Sequence, residues 1–287
     1  MRYREWFLVG IFGATVLNLA ASPVPASTFA NIRVPGTEFI EASGLNNYGQ
    51  IVGSYFLAAT GTQHGFLRDR GILTDIDVPG ATFTFPEGIN DRGQIVGSYF
   101  VFESGIQHGF LLDRGTITTI DGPSASRTLL HGINIRGQIV GSYLVSGTGV
   151  QHGFLLNGAT LTNIDVPGGN FTEPYSINNR GQIVGSYLDS NLRTSHGFVF
   201  SQGTFTTINA PGATLTVARG INNRGQIVGF RLGGSVPVQG FLLDRGTLSD
   251  VVIPGAPFTN ANGINDRGQI VGHYTDSVGT QYGFIMN

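Results

Sequence analysis

The amino-acid sequence predicts an all-β protein, a six-bladed β-propeller of four-stranded antiparallel blades, and three observations lead to this prediction. First, Gly-Gln-Ile-Val-Gly recurs at intervals of 44, 44, 44, 44 and 43 residues, with copies that begin at Gly49, Gly93, Gly137, Gly181, Gly225 and Gly268. A fixed period of this length is typical of repeat architectures. Second, each repeat holds four strand-like segments separated by turn residues, which is the content of one propeller blade. Third, the two chain ends carry complementary parts of one repeat.

Residues 81–124 show how one repeat divides into strands. Segments rich in β-branched and aromatic residues predict strands at 82–90, 94–101, 107–112 and 116–121. Asn90-Asp-Arg-Gly93 joins the first two as a three-residue hairpin loop with glycine in the left-handed position, and Asp113-Arg-Gly115 is predicted to form a second turn of the same kind. The proline that follows the fourth strand ends it, because proline cannot donate to the ladder. No helix is predicted after residue 26.

The chain ends predict how the ring closes. Residues 28–36 match the fourth strand of a repeat, whereas residues 281–287 match the third strand and nothing follows them. Pairing of these two segments would complete the sixth blade and leave no open sheet edge. The sequence therefore predicts a propeller closed by its N-terminal strand, because a linear array would have no use for this offset.

Residues 1–26 have the composition of a signal peptide. The start is basic, residues 6–21 are almost entirely apolar, and Val24-Pro-Ala26 places small residues at positions −3 and −1 of a cleavage site. We expect cleavage before Ser27, a single propeller domain over residues 27–287, and a secreted or periplasmic protein. An uncleaved membrane anchor is the competing interpretation, but the segment is short for a span. No membrane association is expected after cleavage.

Composition excludes several classes of function. The net charge is −2 and only 12% of residues are charged, so no basic surface for nucleic acid is expected. Every basic residue is arginine, which excludes Schiff-base chemistry on lysine. There is no cysteine, which excludes thiol catalysis, disulfides and thiolate metal sites. We expect a monomer without a cofactor or metal, whose partner is a glycan, a peptide or a small extracellular molecule.

The combined motif, Gly-Ile-Asn-(Asn/Asp)-Arg-Gly-Gln-Ile-Val-Gly-Ser-Tyr followed by His-Gly-Phe-Leu, resembles the HAF repeat of extracellular bacterial proteins. The resemblance covers nearly all of residues 28–287. The central alanine of the family motif is glycine here, as in His64-Gly65-Phe66. The resemblance implies export and a repeat fold, and it implies no activity and no catalytic residues.

Histidine recurs at one position of the third strand, and Gln or Tyr replaces it in the last two repeats: His64, His108, His152, His196, Gln239 and Tyr282. Equivalent positions in different blades lie too far apart to share a metal ion, which needs ligands about 2 Å away. His, Gln and Tyr each carry a polar group on a planar body. We therefore predict a structural role, in which each side chain satisfies a buried backbone partner.

The positions at which the repeats differ are the candidate functional positions. Immediately before the Gly-Ile-Asn motif, or its Gly-Leu-Asn and Ser-Ile-Asn variants, stand six polar residues that are all different: Ser43, Glu87, His131, Tyr175, Arg219 and Asn262. Two residues earlier, on the same strand face by a period of two, stand Glu41, Phe85, Leu129, Glu173, Val217 and Asn260. The first strand of a propeller blade lines the central channel, so these side chains should converge there. We predict that the first set, called the ring residues below, binds a ligand; the alternative is a solvated wall without function.

Particular contacts are expected within the ring. Glu87 and His131 come from adjacent blades and should be neighbours able to form an ion pair, in which Glu87 favours the protonated imidazole. Arg219 should lie across from this pair or beside Tyr175, where it could hold an anionic group. The loops between second and third strands also vary, and they should share one face with the connections that lead into the first strands.

The sequence contains no catalytic motif. A secreted binding module is therefore the first hypothesis. The second is an extracellular lyase or hydrolase that acts on polysaccharide and uses Glu87, His131, Tyr175 and Arg219 in acid–base chemistry. The third is a structural surface or matrix protein. A propeller fold alone does not decide among them.

Overall fold

The structure, a computed structural model, describes residues 15–16, 20–23, 28–37, 39–233 and 236–287. Within these ranges every regular element of secondary structure is a β-strand, as the sequence predicts. The predicted signal peptide, residues 1–26, falls largely outside the described residues. In the described part of the chain there is no helix long and apolar enough to cross a membrane.

The strands follow the repeats, which we call units 1 to 6. Three strands precede unit 1: β1 (Thr15–Val16), β2 (Ala20–Pro23) and β3 (Phe29–Ile32). Unit 1 contains β4 (Phe39–Leu45), β5 (Ile51–Leu57), β6 (Thr62–Asp69) and β7 (Ile72–Ile76); unit 2 contains β8 (Phe83–Ile89), β9 (Ile95–Val101), β10 (Ile106–Asp113) and β11 (Thr116–Ile120); unit 3 contains β12 (Ala125–Ile133), β13 (Ile139–Val145), β14 (Gln151–Asn157) and β15 (Thr160–Asn163). Unit 4 contains β16 (Asn170–Ile177), β17 (Ile183–Leu188), β18 (Ser195–Ser201) and β19 (Thr204–Ile208); unit 5 contains β20 (Leu215–Ile221), β21 (Ile227–Gly233), β22 (Val236–Asp244) and β23 (Thr247–Val251); unit 6 contains β24 (Phe258–Ile264), β25 (Ile270–Thr275) and β26 (Gln281–Met286). The four strands predicted for residues 81–124 are confirmed to within one residue at each end.

Successive strands of a unit pair antiparallel, as in β8 to β11. Unit 6 takes three strands from its own repeat, and β3 pairs antiparallel with the third of them, with Ile32 opposite Gly283 and Phe29 opposite Met286. β3 therefore stands where the other units have a fourth strand. Within the predicted signal peptide, β1 and β2 pair parallel with the outermost strands β19 and β23.

Neighbouring units also pair at one end of their strands. Parallel bridges join the start of a third strand to the start of the next unit's first strand, at Gln63 with Phe83, Gln107 with Arg127 and Ser195 with Leu215. The loops that precede these two starts therefore lie on the same face, as the sequence predicts. We call it the variable face.

The two hairpin turns of a unit differ, although the sequence predicts one type. In the first turn Gly93 has a φ of 77° and donates its amide hydrogen to the carbonyl oxygen of Asn90, so the predicted glycine-containing turn is confirmed. In the second, both Arg114 and Gly115 have positive φ, 48° and 79°, directly after the last paired residue. This is a two-residue type I′ turn, which the twist of the flanking strands favours.

The apolar core lies between units. Val52 of unit 1 packs with Ile95 and Phe110 of unit 2, and Val271 of unit 6 packs with Phe66 of unit 1. Each core cluster among the described residues joins two neighbouring units in this way and contains one of the fully buried third-strand phenylalanines Phe66, Phe110, Phe154, Phe198, Phe241 and Phe284. The Ile-Val pair of the motif is buried in these clusters, as Ile51 and Val52 show.

The second glycine of the motif serves its own sheet. A Cβ on Gly53 would lie 1.9 Å from the carbonyl oxygen of Glu41 and 2.9 Å from the ring of Phe66, both in the same unit. The contacts that require this glycine therefore lie within its own sheet and not with a neighbouring one. The glycine is required because the buried ring of the third strand lies directly over it.

The asparagine of Gly-Ile-Asn links each unit to the next. In unit 2 the Oδ1 of Asn90 accepts from the amides of Arg92 and Gln94, and its Nδ2 donates to the carbonyl oxygen of Asn134 in unit 3, at 3.0 Å. Equivalent bonds, 3.0–3.2 Å long, leave the asparagines of the other units: Asn46, Asn134, Asn178, Asn222 and Asn265. The last of these runs from unit 6 to Asn46 of unit 1. Buried donors need partners, and this one finds its partner across the unit boundary.

Candidate ligand-binding site in the central cavity

The first strands of the six units surround a cavity of about 120 Å³, which we call the central cavity. Each strand contributes its ring residue and the four residues after it. The structure therefore brings all six ring residues to one place: Ser43, Glu87, His131, Tyr175, Arg219 and Asn262.

Every ring residue stands at a β-bulge. The register of β8 against β9 shifts between Pro86 and Gly88, so Glu87 is the extra residue, and the same shift occurs at the ring position of every unit. A bulge bends its strand and re-aims a side chain. The repeated scaffold thus presents six different side chains in one geometry.

Two ring residues contact the residue that stands two positions before the ring position of the following unit. Asn262 donates through Nδ2 to Oε1 of Glu41, at 3.1 Å. In the same way, Nε2 of His131 lies 3.3 Å from Oε1 of Glu173. The predicted Glu87–His131 ion pair was wrong for this reason: the carboxylate that reaches His131 comes from the earlier position of the next unit.

Tyr175 connects this ion pair to Arg219. The hydroxyl of Tyr175 donates to Oε2 of Glu173, at 2.8 Å. The guanidinium carbon of Arg219 lies 4.3 Å from the centre of the Tyr175 ring and 5.9 Å from that of Phe230, distances at which a cation is attracted to the ring face. Arg219 thus lies beside Tyr175, one of the two placements that the sequence predicts.

The environment of the cavity moves the pKa values of two carboxyl groups, those of Glu87 and Glu173, in opposite directions. Burial raises the pKa of Glu87 to about 7, although the nearby His131 acts to lower it. Burial also acts to raise the pKa of Glu173, but His131 and the Tyr175 hydroxyl outweigh it and lower that pKa to about 2. Burial acts to lower the pKa of Arg219, but Tyr175 and the surrounding carboxylates raise it. Near neutral pH a charged arginine and an ionised Glu173 therefore stand beside a partly protonated Glu87.

His273 is a site residue that sequence analysis missed. It stands in the second strand of unit 6, where the first four units have serine, and its Nδ1 lies 3.6 Å from Oε1 of Glu41. The side-chain amides of Asn260 and Asn262 approach its ring nitrogens at 3.2 and 3.3 Å. Burial lowers the pKa of His273. The change from Gly-Ser-Tyr to Gly-His-Tyr was the available signal.

Several buried polar atoms around the cavity have no hydrogen-bond partner among the described residues. They are both ring nitrogens of His131, Nε of Arg219, and Oδ1 of Asn260 and Asn262. The Nε2 of His131 is close enough to Glu173 for an ion pair, but its direction does not suit a hydrogen bond. Buried polar groups are normally satisfied, so this concentration marks the cavity as a place where a polar molecule could bind.

The repeated histidines lie outside the cavity and have other partners. Nδ1 of His64 lies 2.9 Å from Oδ2 of Asp77, and its ring stacks on Tyr55 with 5.5 Å between centres. His108, His152 and His196 pair in the same way with Asp121, Asp165 and Asn209. The predicted buried backbone partner was wrong for histidine, which bonds a half-exposed side chain; Gln239 does donate to a backbone oxygen, that of Val251. No group of three His, Asp or Glu side chains suited to a metal occurs among the described residues.

Comparisons of sequence find no relative. No family model matches the chain, and no curated protein matches it. The resemblance to the HAF repeat therefore stays a prediction.

Solved structures share the fold. A mutant of AofleA from Arthrobotrys oligospora matches 91% of this chain and 86% of its own at 13% identity, with a TM-score of 0.57. The Aleuria aurantia lectin AAL, a mutant in complex with Fucα1-6GlcNAc, matches 87% and 93% at 14% identity, with a TM-score of 0.51. The β-propeller domain of the Trilobed protease from Pyrococcus furiosus, which has an open velcro topology, matches 88% and 94% at 9% identity, with a TM-score of 0.52. The chain thus has a β-propeller fold, and at these identities the likeness concerns the fold alone.

Proposed function

We propose that this protein is a secreted binding module, a closed six-bladed propeller that holds a small polar ligand in its central cavity. The observation that carries the proposal is the group of buried donors and acceptors without partners around that cavity. Elsewhere in the first strands the scaffold pairs such groups, as the motif asparagines do. A ligand with hydroxyl, carboxylate or amide groups would satisfy them, so glycans and peptides are the classes that fit.

Three observations support six blades and closure by the N-terminal strand. β3 pairs with the last strand of unit 6. The core cluster of unit 1 includes Val271 from unit 6. Asn265 of unit 6 donates to the carbonyl oxygen of Asn46 in unit 1, at 3.1 Å. Closure would leave the six ring residues around one axis, which is the arrangement that a central site requires.

Arg219 and its neighbours would decide which ligand binds. Its guanidinium group remains charged and is held against Tyr175, with Nε free of hydrogen-bond partners in the part of the chain that the structure describes. A guanidinium group recognises carboxylates well, whereas the ionised Glu173 accepts from hydroxyl groups. The cavity could therefore hold a sugar that carries both groups, and the sugar bound by the Aleuria aurantia lectin makes glycans the first class to test.

The test is a glycan and peptide array with three forms of the protein: wild type, Arg219→Ala and Arg224→Ala. Arg224 is the matched control, because it is an exposed arginine in a turn. Loss of a buried, charge-assisted contact should weaken binding by at least about tenfold in Arg219→Ala, and Arg224→Ala should bind like wild type. Melting curves confirm that both variants fold. Equal binding by all three forms would contradict the central site.

An extracellular hydrolase or lyase is the second candidate, and the separated pKa values of Glu87 and Glu173 favour it. Carboxyl groups whose environments move their pKa values apart can serve as acid and base. Incubation with acidic and neutral polysaccharides, followed by measurement of newly formed chain ends, would detect the activity. Turnover that Glu87→Gln abolishes would make the protein an enzyme; binding without turnover leaves the first proposal in place.

Export is part of the proposal, on the strength of the basic and apolar segments before Val24-Pro-Ala26. The intact mass of protein recovered outside the cytoplasm should correspond to a chain that begins near Ser27. A full-length mass in the membrane fraction would contradict it.

A further inference from the structure

A second, larger cavity lies beside unit 4, toward the variable face, and is lined by residues of units 3, 4 and 5. Its volume is about 350 Å³, within the range of small-molecule sites. We call it the side pocket. Its wall includes Phe171, Tyr187, Leu188 and Leu215, and its floor includes Glu173 and Ser186. Tyr175 lines both the side pocket and the central cavity, so the two adjoin.

The side pocket exists because unit 4 lacks a glutamine that other units have. In units 1 and 2, Gln63 and Gln107 donate to the second-strand serines Ser54 and Ser98, at 2.8 and 3.0 Å, and fill the space above them. The equivalent residue in unit 4 is Ser195, which also lines the pocket. The shorter side chain leaves Ser186 without that glutamine and leaves the space open.

The backbone at the mouth of the pocket is unusual. Phe171 has a φ of 50°, and the register of β16 against β17 shifts between Asn170 and Glu173. A positive φ costs a residue with a side chain about 1–3 kcal/mol, and such strain concentrates at functional sites. Here it accompanies an aromatic ring that is 42% exposed at the pocket wall.

The chemistry of the lining identifies the class of ligand. Glu173 has a lowered pKa, is ionised, and can accept from hydroxyl groups. Two serine hydroxyls and the Gln151 amide add further partners, and aromatic rings offer flat apolar surface. None of the described residues that line the pocket is Arg or His, so the charge on the lining itself is the carboxylate of Glu173, which disfavours an acidic ligand.

We infer that the side pocket binds a neutral pyranose sugar, with an apolar sugar face on the aromatic wall and sugar hydroxyls toward Glu173. The inference rests on the proposed binding function and adds a second, chemically distinct subsite to it. The central cavity would take the charged or more polar part of a glycan, and the side pocket would take a neutral residue.

Saturation-transfer NMR with the wild-type protein tests the inference, with methyl glycosides of glucose, galactose, mannose and fucose as probes and with glucuronate and choline for comparison. The decisive variant is Ser195→Gln, which restores the residue of units 1 and 2 and should fill the pocket without harm to the fold. Gln63→Ser, the reverse change in unit 1, is the matched control. Phe171→Ala is the second pocket variant, since that side chain is exposed and its loss leaves the core intact.

We expect at least one neutral glycoside to bind, with affinity at least about tenfold lower in Ser195→Gln and Phe171→Ala and unchanged in Gln63→Ser. Binding of glucuronate or choline alone would overturn the inference, as would neutral binding that Ser195→Gln leaves unchanged, or no binding of any probe. A ligand from the array whose binding depends on Arg219, together with no binding of any neutral glycoside, would contradict the side pocket alone. Failure of both tests would contradict the binding function as well.

Discussion

At the scale of single residues, Glu87 is a residue of the candidate site that destabilises the folded protein once its carboxyl group is ionised. Its pKa rises from 4.5 to about 7 in the folded protein, first because burial disfavours the carboxylate. A carboxyl group with a raised pKa favours the folded state while it is protonated. Its contribution is therefore complete below pH 4.5 and is lost as the pH rises through about 7. A scaffold alone would gain nothing from a carboxyl group in this position.

Glu87→Gln should remove this pH dependence. A glutamine keeps the shape of the protonated acid, so we expect the variant to match wild type near pH 4 and to be more stable above pH 7. From the shift in pKa, the difference should approach about 3 kcal/mol. Denaturation with urea at several pH values between 4 and 8 measures it. A difference between the two proteins that stays constant over this range would show that Glu87 does not titrate as described.

The ring residues could be predicted from the sequence, but their pairing could not. Six polar residues that differ where the repeat is otherwise constant are visible by alignment of the repeats. The ion pair of His131 with Glu173 depends on how neighbouring first strands lie against one another, and no single repeat carries that information. The bulge does have a sequence signal, because a glycine follows the ring position in five of the six units and glycine within a strand often marks a bulge.

At the scale of the strand, the glycine of His-Gly-Phe depends on the next unit. A Cβ on Gly109 would lie 2.6 Å from the carbonyl oxygen of Ile120 and 2.7 Å from the side chain of Leu130 in unit 3. At Gly197 the nearest atom, Cβ of Ile208, is 3.3 Å away, and the residue equivalent to Leu130 is Ala218. In units 1 to 3 this glycine faces a large residue of the following unit, which leaves no room for a Cβ atom. The units that follow units 4 to 6 have alanine at the same position, so more space remains.

Gly109→Ala should accordingly destabilise the protein, and Gly197→Ala should not. Overpacking against a fixed backbone oxygen costs about 1–3 kcal/mol, whereas the contact at Gly197 needs a shift of a few tenths of an ångström. Thermal melts of the two variants beside wild type make the comparison. If both variants melt at the same temperature, the residues of the next unit are not the reason that this position requires glycine. The HAF motif has alanine at this position, so the sequence alone did not indicate that Gly109 and Gly197 differ in the space they leave for a Cβ atom.

At the scale of the whole molecule, the period predicted the architecture well. A repeat of 44 residues with two hairpins predicts four strands to a unit, and the strands of unit 2 lie where they were expected. The side pocket was not predicted, because it comes from a single change of Gln to Ser between units that otherwise agree. The strands could be predicted because they recur in every repeat. The candidate sites are formed by residues that differ between repeats, and these residues contact residues of other repeats, which a single repeat does not reveal.

The proposed closure of the ring is the property on which the central site depends. Ile32 of β3 is 2% exposed and packs in the core cluster that joins units 6 and 1. The neighbouring Asn31 accepts a hydrogen bond from the hydroxyl of Tyr274, at 3.1 Å. Without β3, the last strand of unit 6 would expose an unpaired edge and part of the core.

Removal of residues 1–35 should therefore have a far larger effect than removal of residues 1–26. The longer deletion removes β3 with its buried isoleucine and its strand pairing, whereas the shorter one removes only the predicted signal peptide. We expect the longer deletion to lower the melting temperature by roughly 10 °C or more and to promote aggregation through the open edge. Addition of a synthetic peptide that spans residues 28–36 should restore part of the stability, because the edge strand of unit 6 can pair with it. Equal melting of the two truncated proteins would mean that β3 does not close the ring, and the central cavity would then lack the geometry on which ligand binding depends.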